Sequence, residues 1–137
     1  MRYPLDTNIC IAVIRQRSAH LLTRILSFAP DDLGVSAITV AELAYGAAKS
    51  QRPEQNQRAL DQFLLPFLIV PFDHEATATY GRIRAQLERQ GTPIGPLDLL
   101  IAAQALALAV PLVSNNFGEF TRVPELQVED WLAYPSP

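Results

Sequence analysis

The chain has 137 residues, 49% hydrophobic and 18% charged, which is enough apolar material for one packed domain and too much for a disordered chain. Its single cysteine, Cys10, excludes an internal disulfide framework and a cysteine-based zinc site, and fits a reducing, cytoplasmic setting. Eleven Lys and Arg against fourteen Asp and Glu leave a net charge of −3. That excludes nucleic-acid binding through a broadly basic surface, so any work on RNA needs phosphate repulsion offset locally, as bound divalent cations do.

The first six residues form a short apolar stretch ending in Asp6, not the long apolar region behind a basic start that marks a secretory leader. No run approaches the ~18 consecutive apolar residues of a membrane helix. The longest, 99–113, is broken by Gln104 and Pro111, so a soluble protein without a membrane role is expected.

Residues 2–5 read as a short strand running into Asp6. Thr7 and Asn8, both helix-capping residue types, precede a helix over 9–17 carried by Ile9, Val13 and Ile14. A second helix is predicted over 19–28, and Pro30-Asp31-Asp32 signals a turn. Residues 33–35 form a second strand, after which Ser36 caps a helix to Ala48. Arg52-Pro53-Glu54 opens a helix to Leu65, and 67–71 is a third strand. Asp73 caps a long amphipathic helix to Gln90, with Gly91 as its closing glycine. Gly95-Pro96 introduces an apolar helix over 97–108, followed by a strand over 110–114 and a polar loop or helical turn over 115–120. Val128 starts a last short strand, and 134–137 reads as a loose tail after a single domain over 1–133. Strands alternating with helices predict an α/β fold with a parallel sheet.

Three carboxylates stand out against apolar surroundings. Asp6 ends an apolar strand at its carboxyl end, where sites gather in open α/β sheets, although a helix-capping role explains it equally well. Glu42 shares a helical face with Ile38, Ala41 and Tyr45, a face that reads as buried. Asp98 and Gln104 are the only polar residues from Leu97 to Val113, and no Lys or Arg lies near Asp98 in sequence. Like charges held near one another need a cation. Oxygen donors without a Cys or His cluster suit Mg²⁺ or Mn²⁺. The two histidines, His20 and His74, fall on other segments and read as surface residues. Thr7, Ser36, Asn115 and Asn116 lie at strand-to-helix junctions, and Glu119 follows a strand end as a further acid or a solvated loop residue. Tyr45 and Phe117 read as core aromatics, and the arginines at 15, 17, 82, 84 and 89 as solvated helix faces.

Four blocks resemble the PIN-domain family, and within it the VapC toxins: Leu5-Asp6-Thr7-Asn8, then 39–46 (TVAELAYG), then 94–103 (IGPLDLLIAA), then Ser114-Asn115-Asn116 with Glu119-Phe120, Arg122-Val123-Pro124 and Glu129-Asp130-Trp131. They run in order across nearly the whole chain. The resemblance implies a three-layer α/β fold, with a parallel sheet of about four or five strands and helices on both faces. It also implies a Mg²⁺- or Mn²⁺-dependent endoribonuclease, usually a homodimer, that cuts RNA and is silenced by a VapB-type antitoxin. Asp6, Glu42 and Asp98 match the family's acidic triad, as catalytic residues and metal ligands. Asn116 stands where many members carry Asp, so Glu119 or Asn116, with Thr7 nearby, becomes the further candidate. The competing readings are a phosphohydrolase with a nucleophilic Asp6, a PIN-fold binding module without strong catalysis, and a PIN nuclease of RNA processing outside any toxin pair. The first of these wants a second Asp two residues on, where this chain has Asn8.

Overall fold

The computed structural model describes residues 1–133; the predicted loose tail lies outside them. The element order is β1 (Tyr3–Leu5), α1 (Thr7–Ile14), α2 (Ala19–Leu26), a 3-10 turn (Pro30–Asp32), β2 (Leu33–Ser36), α3 (Ala37–Ala48), α4 (Pro53–Leu64), β3 (Leu68–Val70), α5 (His74–Arg89), α6 (Pro96–Leu108), β4 (Leu112–Val113), α7 (Phe117–Phe120) and β5 (Val128–Glu129). The five strands form one sheet in the order β3-β2-β1-β4-β5, and every neighbouring pair is parallel. This is the predicted α/β class with its parallel sheet.

Parallel strands bury both faces, and two apolar clusters cover them. On one side Leu5, Leu33, Val35 and Val113 pack with Ile9, Leu21 and Ile25 of α1 and α2. On the other, Leu112 packs with Ile83 and Leu87 of α5 and with Leu99, Ile101 and Ala105 of α6. Trp131 closes the first cluster, stacked on Phe28 at 5.2 Å and edge-on to Tyr3 at 5.1 Å. Arg24 lies over its ring at 4.6 Å.

Strand lengths differ from prediction: β4 keeps only Leu112 and Val113 of the five residues expected, while β2 runs one residue further, to Ser36. Of the three capping candidates at the start of α1, the fold uses the first. Asp6, not Thr7 or Asn8, is the N-cap; its Oδ1 accepts the Ile9 N–H at 2.9 Å and helix begins at Thr7. Ser36 and Asp73 cap α3 and α5 as expected, and Gly91 closes α5 at φ +70°.

Chain order sets where a ligand can enter. The chain builds β1, β2 and β3 in one direction, then returns to place β4 on the other side of β1. Beyond the carboxyl ends of β1 and β4 the connections diverge and leave a crevice. Asp6 follows β1 there, and Ser114 to Asn116 follow β4.

Candidate active site

Asp6 is 3% exposed. Besides the Ile9 amide, its carboxylate accepts a hydrogen bond from the Ser114 hydroxyl at 2.5 Å, and Ser114 is itself wholly buried. Burial pushes Asp6 up to about 6 from 3.8, against the two hydrogen bonds that pull it down; the charges of Glu42 and Asp130 push it further up. Cap and site residue were alternatives in the sequence. In the fold the Oδ1 cap leaves the carboxylate in the crevice, so one role does not exclude the other.

Asp98 is half-buried in the first turn of α6. It is raised from 3.8 to about 7, first by burial, then by its hydrogen bond with Glu119 and the charges of Glu119, Asp6 and Glu42. Glu119 is correspondingly lowered, first by that bond, so the shared proton rests on Asp98. Glu119 comes from α7, accepts the Gly95 N–H at 3.1 Å and has Arg122 as a nearby positive charge. Asn116 places its amide nitrogen 3.3 Å from Asp98 Oδ2 and 3.4 Å from Glu119 Oε2. Its own N–H donates to Ser114 Oγ at 2.9 Å.

Glu42 approaches from α3. Its Oε1 lies 2.9 Å from Thr7 Oγ1, which lies 3.1 Å from Thr39 Oγ1. The face it shares with Ile38, Ala41 and Tyr45 is not the buried one predicted. Ala41 and Tyr45 are exposed, Tyr45 to 65%, and Thr39 and Ala47 are the buried residues of α3. That face instead lines an open groove of about 940 Å³ with Ile11, Ile14, Leu43 and Leu60. Phe117 is likewise 39% exposed, so neither aromatic is a core residue in this chain. An apolar helix face here means a groove wall rather than sheet packing.

The fold thus brings Asp6, Glu42, Asp98, Glu119, Asn116 and Thr7 to one edge of the sheet. Among the described residues no three His, Cys, Asp or Glu side chains close around a single point; the acids meet as charges rather than as a finished ligand shell. His74 is exposed on α5, and Cys10 is a buried thiol that burial, then Asp6, hold protonated. Sequence reasoning gave no role to Thr39 and Ser114, two buried hydroxyls. The available signal was a hydroxyl beside apolar residues, Thr39 between Ile38 and Val40 three residues before Glu42, and Ser114 directly after the apolar β4.

A PIN domain model matches residues 3–126. A "Ribonuclease VapC2" of Haemophilus influenzae is 44% identical over 96% of this chain and 99% of its own length. The chain belongs to the PIN-domain family, in its VapC branch. Another VapC-branch relative, the "tRNA(fMet)-specific endonuclease VapC" of Salmonella typhimurium, is 38% identical over 96% of this chain and 98% of its own length. The crystal structure of DNA-bound VapBC from the same organism superimposes with a TM-score of 0.92 at 38% identity, covering 96% of this chain and 98% of that one. No helix of the described residues is long and apolar enough to cross a membrane.

Proposed function

We propose that this VapC-family ribonuclease is a Mg²⁺- or Mn²⁺-dependent endoribonuclease, the toxin of a toxin–antitoxin pair, with its centre at Asp6, Glu42 and Asp98. One observation carries the reading: carboxylates from the end of β1, α3, α6 and α7 face one crevice at the switch point, and Asp6 and Asp98 are driven toward neutrality first by burial and then by neighbouring acids, Glu42 among them in both cases. Uncompensated acids of this kind call for a cation. The donor set, all oxygen, fits a hard divalent ion. The open shell suits Mg²⁺, which keeps water and shares phosphate oxygens rather than filling a protein cage.

When bound, the ion supplies activation of water and charge neutralisation at the scissile phosphate. The residues of the chain supply the frame. The Ile9 amide and the Ser114 hydroxyl fix both oxygens of Asp6. Thr7 holds Oε1 of Glu42. The Asn116 amide bridges Asp98 and Glu119, and Glu119 is anchored on the Gly95 amide. Glu42 is the open-sided acid, placed to take the proton of the attacking water. Glu119 serves as a fourth acid in place of an Asp at 116.

Two relatives carry names that specify tRNA(fMet), which makes tRNA the first substrate to offer. The related VapBC structures support a VapB-type antitoxin as partner. The apolar groove beside Glu42 suits an apolar antitoxin segment that ends in Arg or Lys at the acids. A homodimer in the cytoplasm completes the reading. The test is cleavage of total RNA and of tRNA with Mg²⁺, with EDTA and with Asp98→Asn. Cleavage that requires both the ion and Asp98 supports the proposal. Folded, Mg²⁺-supplied protein that cuts none of these RNAs overturns it in favour of a binding module.

A further inference from the structure

We infer that Thr39 is a positioning residue for Glu42, acting through Thr7; the inference rests on the acidic crevice being the ribonuclease centre. Thr39 is wholly buried in the first turn of α3. Its Oγ1 lies 3.1 Å from Thr7 Oγ1, and Thr7 Oγ1 lies 2.9 Å from Glu42 Oε1. A hydroxyl has one proton to give and two lone pairs to accept with. An ionised carboxylate only accepts, so the Thr7 proton belongs to Glu42. The contact between the two hydroxyls is then closed by the Thr39 proton, which points at Thr7. The three groups form a one-way chain that starts inside the fold and ends on the carboxylate.

Both ends of this chain sit on α3, three residues apart, while its middle sits on the first residue of α1. It therefore fixes Glu42 relative to the helix that Asp6 caps, so the two acids share one frame. Packing alone does not account for the hydroxyl. Valine has the same shape without a polar group, and a buried hydroxyl is unfavourable unless it is bonded. Among the described residues the Thr39 side chain bonds to Thr7 alone. Without it, the Thr7 hydroxyl loses the donor that sets its torsion, and Glu42 loses a fixed neighbour. Only Oε1 of Glu42 is taken by the chain of bonds.

The experiment compares Thr39→Val and Thr39→Ser in the full-length protein. Steady-state cleavage of a short RNA with Mg²⁺ should show kcat down about tenfold for Val with KM unchanged, and within about twofold of wild type for Ser. In a Thr7→Val background Thr39→Val should add no further loss, because the route to Glu42 is already cut. Melting temperature separates a structural role, since the Val variant should melt no lower than wild type. In the metal-free protein, NMR should show a slowly exchanging Thr39 hydroxyl proton close to Thr7. The Glu42 carboxyl carbon signal should move in Thr39→Val and stay in Thr39→Ser. Full activity and an unmoved Glu42 signal in a folded Thr39→Val protein overturn the inference. If wild type cuts no RNA while the Glu42 signal behaves as described, the hydroxyl chain stands and the ribonuclease reading fails.

Discussion

Asp6 does two jobs with two oxygens, and the two can be separated by one substitution. Asparagine keeps an oxygen for the Ile9 amide and so keeps the α1 cap, but it removes the charge. Asp6→Asn should therefore lose at least roughly a hundredfold in Mg²⁺-dependent cleavage while its stability holds or rises. Denaturation in EDTA at several pH values checks the second half. In the unfolded chain Asp6 titrates near 3.8; in the fold burial raises it to about 6. Between those values the folded state keeps a proton that the unfolded state has released. Stability of the metal-free protein must then fall as pH rises through the window and level off above it, by on the order of 3 kcal/mol from this group. The Asn variant should lose the share of that slope due to Asp6 and keep the share due to Asp98; an unchanged slope would mean that Asp6 is not a group that titrates. Asp98, at about 7, extends the fall upward. Cation binding runs the other way, because it needs the ionised forms. Mg²⁺ affinity, followed by calorimetry, should climb from pH 5 and flatten above about 7.

At the level of elements, α7 and the turn after it tie the loop before α6 at two points: Glu119 accepts the Gly95 amide, and Arg122 donates to the Pro93 carbonyl at 2.8 Å. Glu119→Gln preserves an acceptor for Gly95 yet removes a charge beside Asp98. It should weaken Mg²⁺ binding several-fold and lower the Asp98 titration toward its ordinary range, with little change in melting temperature. Glu119→Ala should add a loss of about 1 kcal/mol from the orphaned Gly95 amide. Urea titration of the two variants side by side separates the effects, and equal stability would deny Glu119 the tether. Helix boundaries were readable in the sequence because their signals are local: Ser36, Asp73 and Gly95-Pro96 at starts and Gly91 at an end all act within a turn of themselves. The strand ends were not, because β4 and β5 owe their two-residue lengths to partners far along the chain. The three main acids were readable as charges out of place in apolar sequence. The exposed face of Glu42 was not, since an apolar stripe looks the same whether it meets a sheet or walls a groove. Thr39 and Ser114 escaped notice because a buried hydroxyl declares itself only through its partner, 32 and 108 residues away respectively.

For the whole molecule the governing fact is the net charge of −3. A nucleic-acid-binding protein that relies on Lys and Arg binds more weakly when Mg²⁺ is added, because the ion competes for the phosphates. Under the proposed function the acids at the switch point would repel RNA until a cation joins them, so the sign should reverse. Anisotropy of a fluorescent tRNA fragment, read within seconds of mixing and before cleavage accumulates, should show tighter binding with millimolar Mg²⁺ than with EDTA at equal ionic strength. Raising KCl alone should weaken binding only shallowly, since few cations surround the crevice to release counterions. Asp98→Asn tests whether the effect belongs to the site. Under the proposal the variant removes a metal ligand while replacing a carboxyl that already holds a proton, so metal-free binding should change little and the gain from Mg²⁺ should shrink. If Mg²⁺ instead weakens binding in wild type, the RNA is held by a basic surface away from the acids, and the crevice is not where phosphate and cation meet.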